Sequence, residues 1–193
     1  FYLAGTLEGG RLYLASRDLK KAEALSQDIC RRGAPCEPLS EKEIGSAAKE
    51  VDLIINATTK GQKGIRRLPD GTVTCLEPYS ALAPADPPSL HGEEEERSFF
   101  AAWFRIARDD IEKNHRKSLE ILLEVPPKTH LFDIIYAPLE TVFLKQGRWT
   151  GHPTLNGKMM NIAQAADGFY EKVVKPLLKE KGLYTKDTYQ RLF

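Results

Sequence analysis

Two cations near the start of the chain have the spacing needed to hold one anionic group between them. Arg17 and Lys21 lie four residues apart at a predicted helix start, with Ser16 and Asp18 beside them. A guanidinium and an ammonium placed in this way can bind a phosphate, and the Ser16 hydroxyl can donate a further hydrogen bond. Asp18 can either cap the helix or accept a hydrogen bond from a ribose hydroxyl. Solvated charges at a helix start are the alternative interpretation.

Polar residues also follow two apolar segments farther along the chain. Thr58 and Thr59 come directly after the segment 51–57, and Tyr136 lies late in the segment 130–138. Because ligands of open α/β sheets bind at the carboxyl ends of the strands, we expect these side chains to line one crevice. Small hydroxyl residues let a cofactor approach the backbone, and a phenol can bind a substrate carboxylate. A polar turn and an ordinary tyrosine at the edge of the core are the alternatives.

A third polar group opens a helix nearer the C-terminus, in the segment GKMMNIAQ. Gly157 permits the close approach of a ring, and Met160 can pack on its flat face. Lys158, Asn161 and Gln164 recur every three residues and can line roughly one side of the helix. A solvated helix face is the alternative interpretation.

Hydrophobic periodicity predicts the elements that would position these residues. Apolar runs predict strands at 11–16, 51–57 and 130–138, and the prolines of PCEPL allow only an edge strand at 35–39. Helical spacing predicts a helix end at 1–8 and helices at 19–32, 41–49, 93–124, 139–147 and 154–181, with a further small helix in the last ten residues. Gly168 and Pro176 are expected to interrupt the helix at 154–181, and Ser40 with Glu43 has the spacing of a capping box. Residues 62–92 are expected to form a loop with at most one short strand, around 72–76.

Strands that alternate with helices favour a parallel sheet wrapped by crossover helices. We therefore predict an α/β fold, a Rossmann-like doubly wound parallel sheet with flanking helices and a helical C-terminus. The prediction is one nucleotide-binding domain over 1–193 with a divergent insertion at about 62–128. Because the chain starts with Phe1 rather than Met, we expect the natural chain to begin earlier and the domain to be incomplete at its N-terminus.

Four segments, taken together and in order, resemble the C-terminal domain of the shikimate/quinate dehydrogenase family. SRDLKKAEAL is similar to that family's Asn-Arg-Thr-x-x-Arg-Ala segment, and DLIINATTKGQ is similar to its DLIINAT-S-x-G-M segment. FDIIYAPLETVFL is close to D-x-x-Y-N-P-L-E-T-P-L-L, and NGKMMNIAQAADGF resembles the helix G-L-x-M-L-V-x-Q-A-A-x-A-F.

The resemblance implies reversible hydride transfer between NADP(H) and a cyclic alcohol or ketone such as shikimate and 3-dehydroshikimate, with NAD a less favoured cofactor. The implied cofactor contacts are Ser16, Arg17, Asp18 and Lys21 at the 2′-phosphate, Ala57, Thr58 and Thr59 near the nicotinamide ribose, the carbonyls of Ile134 and Gly157 at the carboxamide, and Met160 beside the nicotinamide. The implied substrate contacts are Tyr136, Gln164 and Lys158.

The chain also departs from the family. The family's catalytic Lys and Asp belong to an N-terminal domain, so we expect no catalytic residue in this chain. The first strand and the glycine-rich phosphate loop are expected to lie outside it as well. Lys158 and Asn161 replace apolar residues of the family and Ala137 replaces Asn. These changes beside the nicotinamide favour a divergent substrate specificity.

The composition limits the kinds of partner that the chain is expected to bind. The net charge is +1, with 28 basic and 27 acidic residues, which leaves no basic excess for binding nucleic acid. No apolar run approaches the length of a membrane span. Three sparse cysteines favour a reduced, cytoplasmic environment, and the single, scattered histidines argue against a zinc site. The expected partner is a small-molecule substrate.

Two other functions remain open from the sequence. In the first, the chain is a non-catalytic nucleotide-binding or regulatory module whose helix at 93–124 forms a homodimer interface through Phe99 and Trp103. In the second, it is a reductase of another cyclic substrate, such as a pterin.

Overall fold

The computed structural model describes residues 10–91 and 96–184. The chain forms two compact units, Phe1–Asn156 and Gly157–Phe193. The predicted helix end at 1–8 and the predicted small helix of the last ten residues lie outside the described residues.

The first parallel sheet of the larger unit is a single βαβ motif. Strand β1 (Leu12–Ser16) pairs in parallel with β2 (Cys36–Ser40), and helix α1 (Leu19–Cys30) crosses between them. The Asp18 carboxylate caps α1 by accepting a hydrogen bond from the backbone N–H of Lys21 (3.4 Å), as its position predicted. The pairing Ser16↔Ser40 brings the carboxyl ends of both strands to one edge.

The second parallel sheet has three strands, β3 (Leu53–Asn56), β7 (His130–Asp133) and β8 (Thr154–Asn156), which are neighbours in that order. Helix α4 (Val142–Trp149) crosses from β7 to β8. Helix α2 (Ile44–Ala47) and a 3₁₀ turn (Ala48–Glu50) precede β3. Asn56, Asp133 and Asn156 stand in register at the carboxyl ends.

The segment between β3 and β7 is more ordered than its sequence predicted. It contains three antiparallel strands, β4 (Ile65–Arg67), β5 (Thr72–Cys75) and β6 (Leu90–His91), followed by the long helix α3 (Glu96–Glu124). The expectation of at most one short strand in 62–92 was therefore wrong. β5 lies where the one short strand was expected, whereas β4 and β6, with three and two residues, are too short to show alternation.

Phe99 and Trp103 pack inside this segment (62–128), which is called the insertion from here on. They are 1% and 0% exposed, in a core cluster with Tyr79, and the Trp103 Nε1 donates to the Pro88 carbonyl (2.7 Å). Both side chains are therefore already covered within one chain, and the hypothesis that they form a homodimer interface stays a prediction.

The other half of α3 packs on the parallel sheet. Ile121 and Leu122 share a buried cluster with Leu131 of β7 and with Phe143 of α4. Gly147 lets α4 approach β7 closely, since a Cβ there would lie 2.2 Å from the Leu131 Cδ1.

The smaller unit is helical over its described residues. It comprises α5 (Lys158–Phe169), a π turn (Tyr170–Val174) and α6 (Lys175–Glu180). The helix predicted for 154–181 was wrong at its start, where 154–156 form β8. Gly168 continues α5, and the interruption is the π turn instead. Pro176 lies in the first turn of α6, directly after the π turn.

The predicted fold class is confirmed: the chain is a Rossmann-like α/β protein with parallel strands, flanking helices and a helical C-terminus. Of the helices in residues 10–91 and 96–184, none combines the length and the apolar character needed to cross a membrane.

Candidate functional site

Two buried polar side chains join the carboxyl ends of β3 and β7. Asn56 is 3% exposed and Asp133 is 0% exposed. The Asn56 Nδ2 donates to the Asp133 Oδ1 at 3.0 Å. This hydrogen bond fixes the point at which both strands end and their loops diverge.

Asp133 holds the loop that follows β7. Its Oδ1 also accepts from the Ile135 N–H (3.0 Å), and its Oδ2 accepts from the Thr141 Oγ1 (2.7 Å). Thr141 in turn caps α4 by accepting from the Leu144 N–H (3.4 Å). Burial raises the pKa of the Asp133 carboxyl above its ordinary value, while the hydrogen bonds from Thr141, Ile135 and Asn56 lower it. These three hydrogen bonds therefore offset part of the cost of burying the ionised carboxylate.

Asn56 shapes the loop that follows β3. Its Oδ1 accepts from the Thr58 N–H (2.9 Å) and from the Thr58 Oγ1 (2.8 Å), and its Nδ2 also donates to the Lys60 carbonyl (3.0 Å). The buried side chain thus folds the loop around itself and leaves Thr58 and Thr59 exposed at the strand end. This is the placement that the sequence predicted for them.

Lys60 ties that loop to two other parts of the larger unit. Its ammonium lies 2.6 Å from the Glu41 Oε1 and 2.8 Å from the Ala83 carbonyl. Its side chain is 7% exposed and that of Glu41 is 20% exposed. Glu41 directly follows β2 and Ala83 belongs to the insertion, so this ion pair links the two parallel sheets to each other and to the insertion.

The residues predicted after β7 lie in the loop beside these groups. The Ile134 N–H donates to the Asn56 carbonyl (3.1 Å), which extends the pairing of the two strands by one residue. Tyr136 is 51% exposed, three residues beyond the end of β7. The Asn156 Nδ2 donates to the Leu139 carbonyl (2.9 Å) and attaches this loop to the end of β8. The structure thus brings Thr58, Ile134 and Tyr136 to neighbouring strand ends.

The predicted phosphate-binding residues occupy the carboxyl end of β1, in the other parallel sheet. The Ser16 Oγ accepts from the Asp18 N–H (3.2 Å), and the Asp18 Oδ2 lies 3.6 Å from the Lys21 Nζ. Arg17 is exposed. Asp18 is therefore used as the cap of α1 while the cation of Arg17 faces solvent.

The remaining predicted contacts belong to the smaller unit. Gly157 is the buried N-cap of α5 and has a φ of −75°, so its backbone is ordinary for any residue. Lys158 and Gln164 are exposed, and Met160 is half-buried.

Sequence reasoning missed four residues that build the site: Asp133, Thr141, Lys60 and Glu41. The first two were already present in the segment FDIIYAPLETVFL, where both match letters of the family segment. Lys60 and Glu41 left no signal, because their pairing joins loops 19 residues apart. Within the described part of the chain, no cluster of three or more His, Cys, Asp or Glu residues could hold a metal ion.

In a parallel α/β fold, polar side chains at the carboxyl ends of the strands stand where ligands bind. No family model matches the chain. The chain is 25% identical over 158 residues to a curated shikimate dehydrogenase (NADP(+)) of Methanococcus maripaludis, and the alignment covers 82% of this chain. It spans only 40% of the length of that relative.

Solved structures with a similar fold include a quinate dehydrogenase from Corynebacterium glutamicum in complex with NAD. It is 21% identical, with a TM-score of 0.49, and the match covers 83% of this chain and 40% of that chain. A shikimate dehydrogenase in complex with NADP+ is 23% identical, with a TM-score of 0.48 and the same two coverages.

The predicted resemblance is therefore confirmed. The chain is similar to the shikimate and quinate dehydrogenases and resembles the C-terminal part of these enzymes.

Proposed function

We propose that the protein carrying this chain is an oxidoreductase that uses NADP in preference to NAD and transfers hydride to or from a cyclic alcohol or ketone, such as shikimate or 3-dehydroshikimate. The observation that carries the proposal is the buried Asn56–Asp133 pair (3.0 Å). It holds the exposed Thr58 and Thr59 at the ends of neighbouring parallel strands, where dinucleotides bind in this fold class. The name of the curated relative, with its NADP(+), supports the choice of cofactor.

Three groups at the end of β1 support the proposal of a 2′-phosphate rather than a free ribose hydroxyl. Asp18, the carboxylate that would accept from a 2′-hydroxyl, is engaged by the N–H of Lys21 and by its ammonium. Arg17 and Lys21 offer two cations on the same turn, and the Ser16 hydroxyl stands beside them. These groups would bind the phosphate and so select NADP.

The ends of β3 and β7 would hold the nicotinamide half. Ala57, Thr58 and Thr59 would contact the ribose, and the carbonyl of Ile134 would accept from the carboxamide. A bound nicotinamide supplies the hydride chemistry itself. The protein's part is to fix the orientation of the ring through a backbone that Asn56 and Asp133 keep rigid.

A substrate contact in the larger unit would come from Tyr136. The phenol of Tyr136, half exposed beyond β7, can donate to a substrate oxygen. We propose that the proton that accompanies hydride transfer is handled by a Lys and an Asp in a separate N-terminal domain, as in the family that the chain resembles.

Cofactor choice tests the proposal. NADPH and NADH are titrated against the full-length natural protein, with nicotinamide fluorescence as the readout, and NADPH is expected to bind more tightly. The double variant Arg17→Ala/Lys21→Ala should reduce this preference by about tenfold or more, because charge-assisted hydrogen bonds to the phosphate are lost. Lys20→Ala is the matched control, since Lys20 is exposed on the same turn.

An unchanged preference in the double variant would overturn the assignment of Arg17 and Lys21. Turnover is measured separately, as absorbance of NADPH with a panel of cyclic alcohols and ketones. Binding of NADPH without turnover of any of them would favour a non-catalytic module over the enzyme.

A further inference from the structure

The antiparallel hairpin of the insertion is attached directly to the loop after β3. The Gly61 N–H donates to the Leu76 carbonyl (2.8 Å), and the Gly64 N–H donates to the Glu77 Oε2 (3.3 Å). On its other side the loop meets the segment after β7, where the Lys63 N–H donates to the Ala137 carbonyl (2.9 Å). The hairpin β4–β5 therefore stands at the edge of the proposed crevice.

Arg66, the central residue of β4, reaches back to that crevice. Its Nη1 donates to the Thr59 Oγ1 at 2.9 Å, although the arginine is exposed. Alternation along a strand puts Arg67 on the opposite face, and its Nη1 donates instead to the Gly71 carbonyl (3.2 Å) in the hairpin turn. Two adjacent arginines thus serve different surfaces, and only Arg66 faces the predicted cofactor loop.

Arg66 has no acidic partner among the side chains of residues 10–91 and 98–184, where no carboxylate lies within 4.0 Å of its guanidinium. A guanidinium carries five N–H donors in a planar fork that matches carboxylates and phosphates. One donor is used on Thr59, which steadies the side chain and leaves the others available.

We propose that Arg66 binds an anionic oxygen group, a carboxylate or a phosphate, of the ligand that occupies the crevice. The proposal rests on the proposed function for the identity of that ligand. It makes the insertion a contributor to specificity, because the arginine that meets the anion comes from β4 and not from the parallel sheet.

The test compares Arg66→Ala and Arg66→Lys with Arg67→Ala in the full-length natural protein. Arg67→Ala is matched in residue type, strand and exposure, and both arginines are on the surface, so none of the variants is expected to unfold the protein. Three quantities are measured: the Kd of inorganic pyrophosphate without cofactor, the Kd of NADPH, and the KM of shikimate against that of its uncharged methyl ester.

Arg66→Ala should weaken the binding of at least one of the anionic ligands by about tenfold, because a partly exposed charge-assisted hydrogen bond is lost. Arg66→Lys should lie between it and the wild type. Arg67→Ala should match the wild type. A higher shikimate KM with an unchanged ester KM identifies a substrate carboxylate, and a higher NADPH Kd identifies a cofactor phosphate.

Equal values for Arg66→Ala and Arg67→Ala in all three measurements would overturn the role of Arg66. A wild-type protein that binds no NADPH, but binds pyrophosphate in a way that depends on Arg66, would overturn the proposed function and leave the anion site standing.

Discussion

The side chain of Asn56 connects the ends of β3 and β7 by a hydrogen bond, so removing it should change the stability of the protein by a predictable amount. Asn56→Ala deletes two hydrogen bonds to buried acceptors, the Lys60 carbonyl and the Asp133 Oδ1, both at 3.0 Å. It also deletes the two hydrogen bonds that Thr58 donates to the Asn56 Oδ1, but Thr58 is exposed, so water can replace them. At about 1 kcal/mol per buried bond, and more where the acceptor is charged, the loss is about 3 kcal/mol. That is a large part of the roughly 5–15 kcal/mol that stabilises a domain.

The same substitution has a predictable pH dependence. The pKa of Asp133 is raised by burial, and the hydrogen bond from Asn56 lowers it, so Asn56→Ala raises that pKa further. A carboxyl whose pKa is higher in the folded state contributes its full stabilisation when the pH is below its pKa in the unfolded state, about 3.9. This contribution is lost as the pH rises through the pKa in the folded state. The destabilisation caused by Asn56→Ala should therefore be smallest near pH 4 and should grow toward pH 7.

Urea unfolding followed by circular dichroism, repeated between pH 4 and pH 8, measures both effects. Gln62→Ala is the control, because Gln62 is exposed in the same loop and its loss should change the free energy of unfolding by less than about 0.5 kcal/mol. A destabilisation by Asn56→Ala that is below 1 kcal/mol, or that is the same at every pH, would refute this reasoning.

Two further substitutions test the packing that positions the site. Gly147→Ala puts a methyl group 2.2 Å from the Leu131 Cδ1 and should destabilise the protein by about 1–3 kcal/mol. In the control Gly168→Ala, the added methyl group meets nothing within 4 Å and should stabilise the protein by up to about 1 kcal/mol. Equal shifts in Tm for the two variants would contradict the close approach of α4 to β7. Lys60→Met removes the cation that pairs with the largely buried Glu41 carboxylate and should lower the free energy of unfolding in urea by about 3 kcal/mol. Adding Glu41→Gln should restore part of this loss. Additive effects of the two substitutions would show that the pair does not couple the two sheets.

The sequence predicted the elements that carry a local signal of their own. The apolar runs before Ser16 and Asn56 gave β1 and β3, and the Asp18 cap and helical spacing gave α1. Ser40 and Glu43 do pair, since Ser40 donates to the Glu43 carboxylate from both its N–H (2.8 Å) and its hydroxyl (2.6 Å), but the prediction that Ser40 opens a helix at 41–49 was wrong, because α2 begins at Ile44. These features are local, so short-range preferences determine them.

What could not be predicted depends on contacts between distant residues. The three-residue strand β8 has no pattern of its own and is defined by its pairing with β7. Asn56 and Asp133 are 77 residues apart, and their hydrogen bond exists only once β3 and β7 are neighbours. The insertion likewise hides Phe99 and Trp103 by tertiary packing, which periodicity along one helix cannot reveal.

Hydrogen exchange measured by mass spectrometry on the full-length natural protein, with and without saturating NADPH, tests the central claim most directly. The account predicts slower exchange in peptides that cover 56–61 and 134–137, and no change in the buried half of α3 around Ile121 and Leu122. If NADPH binds while exchange at 56–61 and 134–137 stays the same, the ends of β3 and β7 are not the cofactor site and the account is contradicted.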